Sequence, residues 1–386
     1  MKFIHLSDLH IGKNVNDHSM IGEQKYILNQ ILEGIKKEKP DAVLISGDVY
    51  DKTTPPLEAV LLLDDFLNKL DEIEGLTVIL ISGNHDSAER LSFGAKRMKK
   101  SGLYIKSIFD GDLTPVTLED EYGKVNFYSV PFIRRADVNN VYNTDIRDYT
   151  EAFSFVVEKM ELDTSERNVI LSHQLVTGAS FSESETAVGG IEDIKAEAYA
   201  AFDYAALGHI HKPQNIGSRL RYCGTPLKYN VSEVGYQKTY TVVELYGKKS
   251  EQELCNINVR EVPLIPEHDM VKIEGYFDEI MRARTDENGI VTSDYVYVVL
   301  RDDDYVNDAA VKLRKLYPNF MNASYSGKGQ TTAFDFDMTI EKAEKQTPFN
   351  IFSEFYKKMH MENDPDEVQT EILKAAIKEV WGEDEI

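Results

Sequence analysis

The chain has 386 residues, 42% of them apolar, and carries 43 Lys and Arg against 66 Asp and Glu, a formal net charge of −23. This length predicts two or three domains. No run of about 18 apolar residues offers a membrane span, and two cysteines are too few for a disulfide framework. The acidity argues against a general affinity for nucleic acid. However, charges are screened over roughly 10 Å at 0.1 M salt, and bound divalent cations reverse the sign where a phosphate must sit. A partner that supplies basic surface is a further way round the same obstacle.

Met1 to His5 enter a strand directly, without the apolar segment of a signal peptide, so a cytoplasmic protein is expected. The first strand is read at residues 2–6. Ile27, Leu28, Ile31 and Ile35 predict a helix from Ile21 to Lys37. Ala42 to Ile45 is a short, continuous apolar run, the pattern of a strand buried on both faces. Pro55 and Pro56 open a second helix. Leu76 to Ile81 reads as a strand, Ala88 to Lys100 as a helix and Leu103 to Ile105 as a strand. That alternation implies βαβ crossovers and parallel pairing.

Strands follow at Leu113–Leu118 and Lys124–Val130, then a helix from Tyr149 to Met160 and a strand at Asn168–Ser172. Residues 177–190, rich in Ser, Thr and Gly, predict a loop over the site. Asp203–Leu207 is another strand. Arg219–Cys223, Lys238–Leu245 and Glu251–Val259 suggest a meander forming a second sheet. Val262-Pro263-Leu264-Ile265-Pro266 punctuates the chain as a linker or edge. Beyond it a small α+β unit is expected, with strands at 271–275, 294–300, 322–326 and 333–338 and a helix over 306–316. After Pro348 two amphipathic helices carry Ile351, Phe352, Phe355, Tyr356 and Met359, then Val368, Ile372, Leu373, Ala376, Ile377, Val380 and Trp381. The expected fold is α/β and layered, two mixed sheets flanked by helices. The core spans 1–262, the small α+β unit 267–340 and the C-terminal helix pair 347–386.

Five of these strand-like runs end in a short polar turn: Asp8-Leu9-His10, Gly47-Asp48, Gly83-Asn84-His85-Asp86, His173 and Gly208-His209-Ile210-His211. In open parallel sheets ligands gather beyond the carboxyl ends of the strands. Singly, each turn is often only a turn; together, each after a strand, they point to a metal site. If Asp48 bridges, each of two ions has four protein ligands: Asp8, His10, Asp48 and His211 for one, Asp48, Asn84, His173 and His209 for the other. Mixed oxygen and imidazole ligands without thiolate suit manganese, iron or zinc and hydrolytic two-metal chemistry. His85 is left unligated and is the candidate general acid for the leaving alkoxide. Asp86 is the candidate to orient it, and Arg90 to hold a phosphate oxygen. Lys13, Arg134 and Arg135 are read as solvated surface, and His5, His18, His268 and His360 as packing or surface residues.

With Ser7-Asp8-Leu9-His10-Ile11-Gly12, Gly47-Asp48-Val49-Tyr50-Asp51, Gly83-Asn84-His85-Asp86-Ser87, Ser172-His173-Gln174 and Gly208-His209-Ile210-His211-Lys212-Pro213, the chain resembles the calcineurin-like metallophosphoesterases. Within them it is most similar to the bacterial SbcD-type nucleases. Tyr222-Cys223-Gly224-Thr225-Pro226-Leu227 resembles a segment of that branch, with Cys223 in place of its serine. Asp51 stands where the archaeal and eukaryotic branch carries a histidine. The resemblance implies manganese-dependent hydrolysis of DNA phosphodiesters, a 3′ to 5′ exonuclease on duplex ends and an endonuclease on single strands and hairpins. It implies a cap over about 267–340 that presents DNA, a homodimer, and C-terminal helices that bind the coiled coil of an SbcC-type ATPase. A phosphatase or cyclic-nucleotide phosphodiesterase would share the five turns, and a non-catalytic scaffold would have lost them.

Overall fold

The computed structural model describes residues 1–180, 193–250, 253–283, 289–326 and 365–381, with single positions between 347 and 356. It divides into two compact units, Met1–Asp269 and Met270–Ile386.

The first unit opens with β1 (Lys2–Leu6), a two-residue hairpin β2 (Asn14–Val15) and β3 (His18–Ser19), then α1 (Ile21–Glu38), β4 (Ala42–Ser46), α2 (Leu57–Asp71) and β5 (Thr77–Ile81). The single predicted helix at 88–100 is instead two four-residue pieces, α3 (Ala88–Leu91) and α4 (Ala95–Met98), followed by a 3₁₀ turn. Gly94 breaks it with a φ of +77°, a conformation that ends a helix and that glycine adopts at little cost. The chain returns as β6 (Leu103–Lys106), β7 (Val116–Asp120) and β8 (Gly123–Val130). Helix α5 (Arg135–Tyr142) is absent from the sequence expectation; it buries only Val138, so its apolar periodicity is faint. Helix α6 (Tyr149–Lys159), β9 (Arg167–His173) and β10 (Tyr204–Gly208) follow, then β11 (Gln214–Ile216), β12 (Leu220–Tyr222), β13 (Thr239–Leu245) and β14 (Ile257–Pro263). Of the predicted loop at 177–190, only residues up to 180 are described.

Two six-stranded mixed sheets result, ordered β14-β13-β1-β4-β5-β6 and β11-β12-β10-β9-β8-β7. The strands at 219–223, 238–245 and 251–259 therefore do not form one meander. Strand β12 pairs parallel to β10 in the second sheet. Strand β13 joins the first sheet antiparallel to β1, and β14 extends it antiparallel to β13. Val262 and Pro263 close β14, paired with Tyr240 and Thr239; a proline is tolerated there because β14 is an edge strand.

Phe3, Leu44, Ile79 and Val243 of one sheet meet Phe127, Val169, Leu171 and Tyr204 of the other in a fully buried layer. Phe3 packs edge-to-face on both Phe127 and Tyr204. Residues one step out of phase, such as Ile4, Val43 and Leu80, are equally buried; alternation turns them to the opposite face. Helix α1 covers that face, with Gly34 pressed against Tyr240 of β13. Both faces of the central strands are thus covered, as their unbroken apolar runs require.

In the second unit, β15 (Met270–Gly275), α7 (Phe277–Ile280), β16 (Tyr295–Leu300), α8 (Ala309–Leu316) and β17 (Phe320–Tyr325) form a three-stranded, wholly parallel sheet with its connecting helices. It buries Val296, Val298, Leu300, Leu313, Tyr317 and Phe320. The expected strand at 333–338 and most of the first tail helix lie outside the described residues. The second tail helix spans Glu367–Trp381. Among the described residues no helix is long and apolar enough to cross a membrane.

Candidate metal centre

The five polar turns meet at one end of the sandwich, beyond β1, β4 and β5 of the first sheet and β9 and β10 of the second. The sheets are stitched together there: His209 N–H donates to Asp8 Oδ1 at 2.9 Å, and His173 Nδ1 donates to the Ser46 carbonyl at 2.8 Å. Asp8, His10, Asp48 and His209 all have positive φ, 52°, 45°, 48° and 101°. Such backbone costs of order 1–3 kcal/mol per residue and persists where surrounding contacts over-determine it. Two glycines permit the close approach. A Cβ on Gly83 would overlap Asp48 Oδ1, and one on Gly208 would overlap the Ser46 carbonyl oxygen.

Asp48 lies at the centre. Its Oδ2 is 3.7 Å from His10 Nε2 and 3.4 Å from His173 Nε2, while its Oδ1 accepts the His85 backbone N–H at 2.9 Å. On one side Asp8, His10 and His211 offer ligand atoms within 4.8 Å of one another. On the other, Asn84 Oδ1 is 3.0 Å from His173 Nε2 and 3.1 Å from His209 Nδ1. Asp8, His10, Asp48 and His173 are almost completely buried, whereas Asn84, His85 and His209 are half-buried and open the site toward solvent.

The donor chemistry fits cations. His211 Nδ1 faces the Glu233 carboxylate at 3.3 Å, so its proton sits on that side and its Nε2 presents a lone pair. That Nε2 is 3.2 Å from His10 Nε2. His10 Nδ1 has no hydrogen-bond partner; Asp51 Oδ1 at 3.6 Å is too far. Burial holds the His10 pKa well below its ordinary value despite the attraction of Asp48, so a neutral ring, with one nitrogen free to offer a lone pair, is favoured. Without a cation, His10 Nε2–H can donate to the His211 Nε2 lone pair; a cation between the rings would take a lone pair from each. At His173, burial opposes protonation, but the Asp48 carboxylate overrides it and raises the pKa to about 9. At Asp48, burial opposes ionisation, but His173 overrides it and holds the carboxyl well below the usual carboxylate range. Asp48 is therefore held as an anion at the centre of the pocket, while burial lowers the pKa values of His10 and His209, which favours neutral, lone-pair-bearing rings.

A second layer of side chains fixes these candidate ligands, the support that an imidazole ligand requires. Glu233, fully buried, is clamped by Lys238 Nζ at 2.6 Å. Lys238 also donates to the His211 carbonyl and to Thr225 Oγ1. Gln24 holds the first turn: it donates to the His10 carbonyl at 2.7 Å and accepts the Gly12 N–H at 2.9 Å. None of these was singled out from the sequence, because a glutamate 22 residues beyond the histidine it supports leaves no local signature.

Asp86 does not orient His85. Its carboxylate accepts the backbone N–H groups of Gly83, Val49 and Tyr50 at 2.9, 3.1 and 2.9 Å, tying the Asp48 turn to the Asn84 turn. The reason is geometric: as the adjacent residue, Asp86 turns back under its own loop, and His85 instead donates Nδ1–H to the Asp51 carbonyl at 3.0 Å. The His85 ring lies edge-on to His10, 4.9 Å between centroids. Lys13 pairs with Asp51 at 2.7 Å. Arg90 is exposed, Arg134 pairs with Asp137 at 3.2 Å and Arg135 donates to the Arg147 carbonyl.

The family model of calcineurin-like phosphoesterases matches residues 1–213. The model described as the type 5 capsule protein repressor C-terminal domain matches residues 266–360. The SbcD component of the nuclease SbcCD from Staphylococcus epidermidis is 31% identical over 367 residues, 93% of each chain. Two solved structures are more distantly similar. A protein of Thermus thermophilus is 8% identical at a TM-score of 0.39, covering 67% of this chain and 98% of its own. A dimetal phosphatase from Danio rerio is 11% identical at 0.37, covering 68% and 99%.

Proposed function

Since this chain belongs to the calcineurin-like phosphoesterases, and among them to the SbcD-type nucleases, we propose that it hydrolyses DNA phosphodiester bonds at the centre built around Asp48. The observation that carries the reading is Asp48 Oδ2, placed between His10 Nε2 and His173 Nε2 at 3.7 and 3.4 Å, the position of a bridging ligand. Asp8, His10, Asp48 and His211 would hold one divalent cation, and Asp48, Asn84, His173 and His209 the other. When bound, the pair supplies the Lewis acidity that polarises a phosphodiester and lowers the pKa of water. We take manganese as the metal.

The protein's own part is positioning and proton delivery. His85, half-buried at the open side, keeps its Nδ1–H on the Asp51 carbonyl; in the imidazolium form Nε2–H protonates the departing alkoxide. Asp86 holds the two turns that carry Asp48 and Asn84, and so acts on the ligands rather than on His85. Arg90, exposed one turn beyond Asp86, meets a non-reacting phosphate oxygen.

The finer reading is a 3′ to 5′ exonuclease on duplex ends and an endonuclease on single strands and hairpins, driven through an SbcC-type ATPase in the cytoplasm. The tail helix Glu367–Trp381 supports docking to that partner: Val368 and Ile372, one turn apart, are each 65% exposed. Residues 267–340 act as the cap that presents DNA. Exposed Leu57, Val60 and Leu61 along one side of α2 support a homodimer.

The test is a hairpin and a blunt duplex incubated with manganese, with and without the ATPase. Metal-dependent strand cleavage is expected, stimulated by ATP with the partner. Hydrolysis of small phosphodiesters with no cleavage of either DNA would replace the nuclease by a small-substrate phosphoesterase. Deleting residues 349–386 is expected to abolish co-purification with the ATPase while sparing small-substrate hydrolysis; survival of the complex would refute the role of the tail.

A further inference from the structure

The chain's charge of −23 leaves open what holds a polyanion. One stretch departs from the rest: from Arg90 to Lys106 there are six cations, Arg90, Lys96, Arg97, Lys99, Lys100 and Lys106, and no carboxylate. Lys106 pairs with Asp110. Lys99 lies over the ring of Tyr104, 5.7 Å from its centroid. Lys96, Arg97 and Lys100 are exposed and make no ion pair among the described residues. In so acidic a protein, unpaired cations gathered on one segment form a local positive field.

The fold ties this segment to the metal turn at both ends. Ser87, directly after Asp86, caps α3. Ser107, directly after β6, donates to the Ala88 carbonyl and accepts from Ser82 at the end of β5, each at 2.7 Å. Between these anchors the chain leaves the metal end of β5, breaks at Gly94 and descends to the start of β6. Strand β6 runs parallel to β5 and forms the sheet's edge. The cations therefore follow the edge away from the metals over one strand length, roughly 15 Å at 3.3 Å per residue. That spans about four to five steps of a duplex at 3.4 Å per nucleotide. Phe93, 85% exposed within the run, suits stacking on an unpaired base.

We infer that the segment from Arg90 to Lys106 is a phosphate track that receives the nucleic-acid backbone leading into the metal centre. This rests on the nuclease reading above. Exposed side chains of α4 and the following turn make the contacts, so they set affinity and salt dependence and leave the chemistry at the metals alone.

The experiment uses the full chain with manganese and the triple substitution Lys96→Gln, Arg97→Gln, Lys100→Gln. Binding of a short fluorescent duplex is followed by anisotropy from about 50 to 200 mM salt, the range over which phosphate contacts are strongly titrated. Each lost phosphate contact removes about 0.9 from the slope of log affinity against log salt. The triple variant should lose between about 2 and 3, and Lys100→Gln alone about 0.9. Hydrolysis of bis(p-nitrophenyl) phosphate should be unchanged. A wild-type protein that cleaves DNA, beside a triple variant with the same slope and affinity, overturns the track and leaves the nuclease reading standing. A wild-type protein that hydrolyses the small diester but neither binds nor cuts DNA overturns both.

Discussion

Replacing Glu233 by Gln isolates the support of a candidate metal ligand, His211, from the ligand itself. Glu233 is fully buried and sits 3.3 Å from His211 Nδ1 and 2.6 Å from Lys238 Nζ. Burial pushes its pKa up, yet Lys238 and His211 outweigh burial and bring it down from 4.5 to about 2. A depression of that size corresponds to about 3 kcal/mol between the charged and neutral forms. With a folded pKa below the unfolded one, this stability is present above about pH 4.5 and is lost as the pH falls toward 2. Glutamine keeps the shape and one acceptor but removes the charge. The metal-free variant is therefore expected to lose on the order of 3 kcal/mol at neutral pH, read by urea denaturation in chelator. Separately, His211 loses the carboxylate that orients its ring and fixes its tautomer, a loss worth about 10- to 100-fold in metal affinity. Manganese titration by calorimetry at neutral pH reads that effect, and Glu233→Asp should recover part of it. Wild-type affinity for both ions, alongside the expected loss of stability, would show that Glu233 braces the fold only and that His211 needs no orienting partner.

His85→Gln should bind both ions as the wild type does and cleave about 10²- to 10⁴-fold more slowly, the usual worth of a general acid; a quenched-flow cleavage assay beside metal analysis decides. Gly83→Ala places a methyl group on Asp48 Oδ1 and should abolish stoichiometric metal binding with the fold intact by circular dichroism, whereas retention of both ions would contradict the close packing. His5 is fully buried, and burial, helped by Arg221, lowers its pKa to about 3. Between about pH 3 and 6.5 the unfolded chain therefore holds a proton that the folded one refuses, so stability falls as the pH drops through 6.5, by up to about 1.4 kcal/mol per pH unit. His5→Phe should flatten that slope in urea denaturation at about pH 7.5 and 5, and an unchanged slope would contradict the assignment.

The strands that carry the candidate ligands were legible because each is a short, unbroken apolar run ending in Asp, Asn or His, and burial on both faces is written into such runs. Asp48 was legible as a bridging candidate from the count of donors alone. What was not legible depends on partners distant in the chain. The pairing of β13 with β1, Thr241 opposite His5, cannot be read from the period of either strand. Nothing near Glu233 announces His211. Asp86 misled because adjacency in sequence suggested contact with His85, whereas the backbone turn sends its carboxylate to three amides instead. The break at Gly94 followed from one residue whose left-handed conformation outweighed the helical character of its neighbours. The same break sets the basic residues beyond it along the sheet edge instead of on a continuous helix.

Whether two cations share Asp48 is decided by manganese titration followed by electron paramagnetic resonance. Two ions per chain with a magnetically coupled spectrum are expected, with loss of that coupling in a folded Asp48→Ala protein. A single ion per chain with an uncoupled spectrum, or a coupled pair that survives Asp48→Ala, would contradict it.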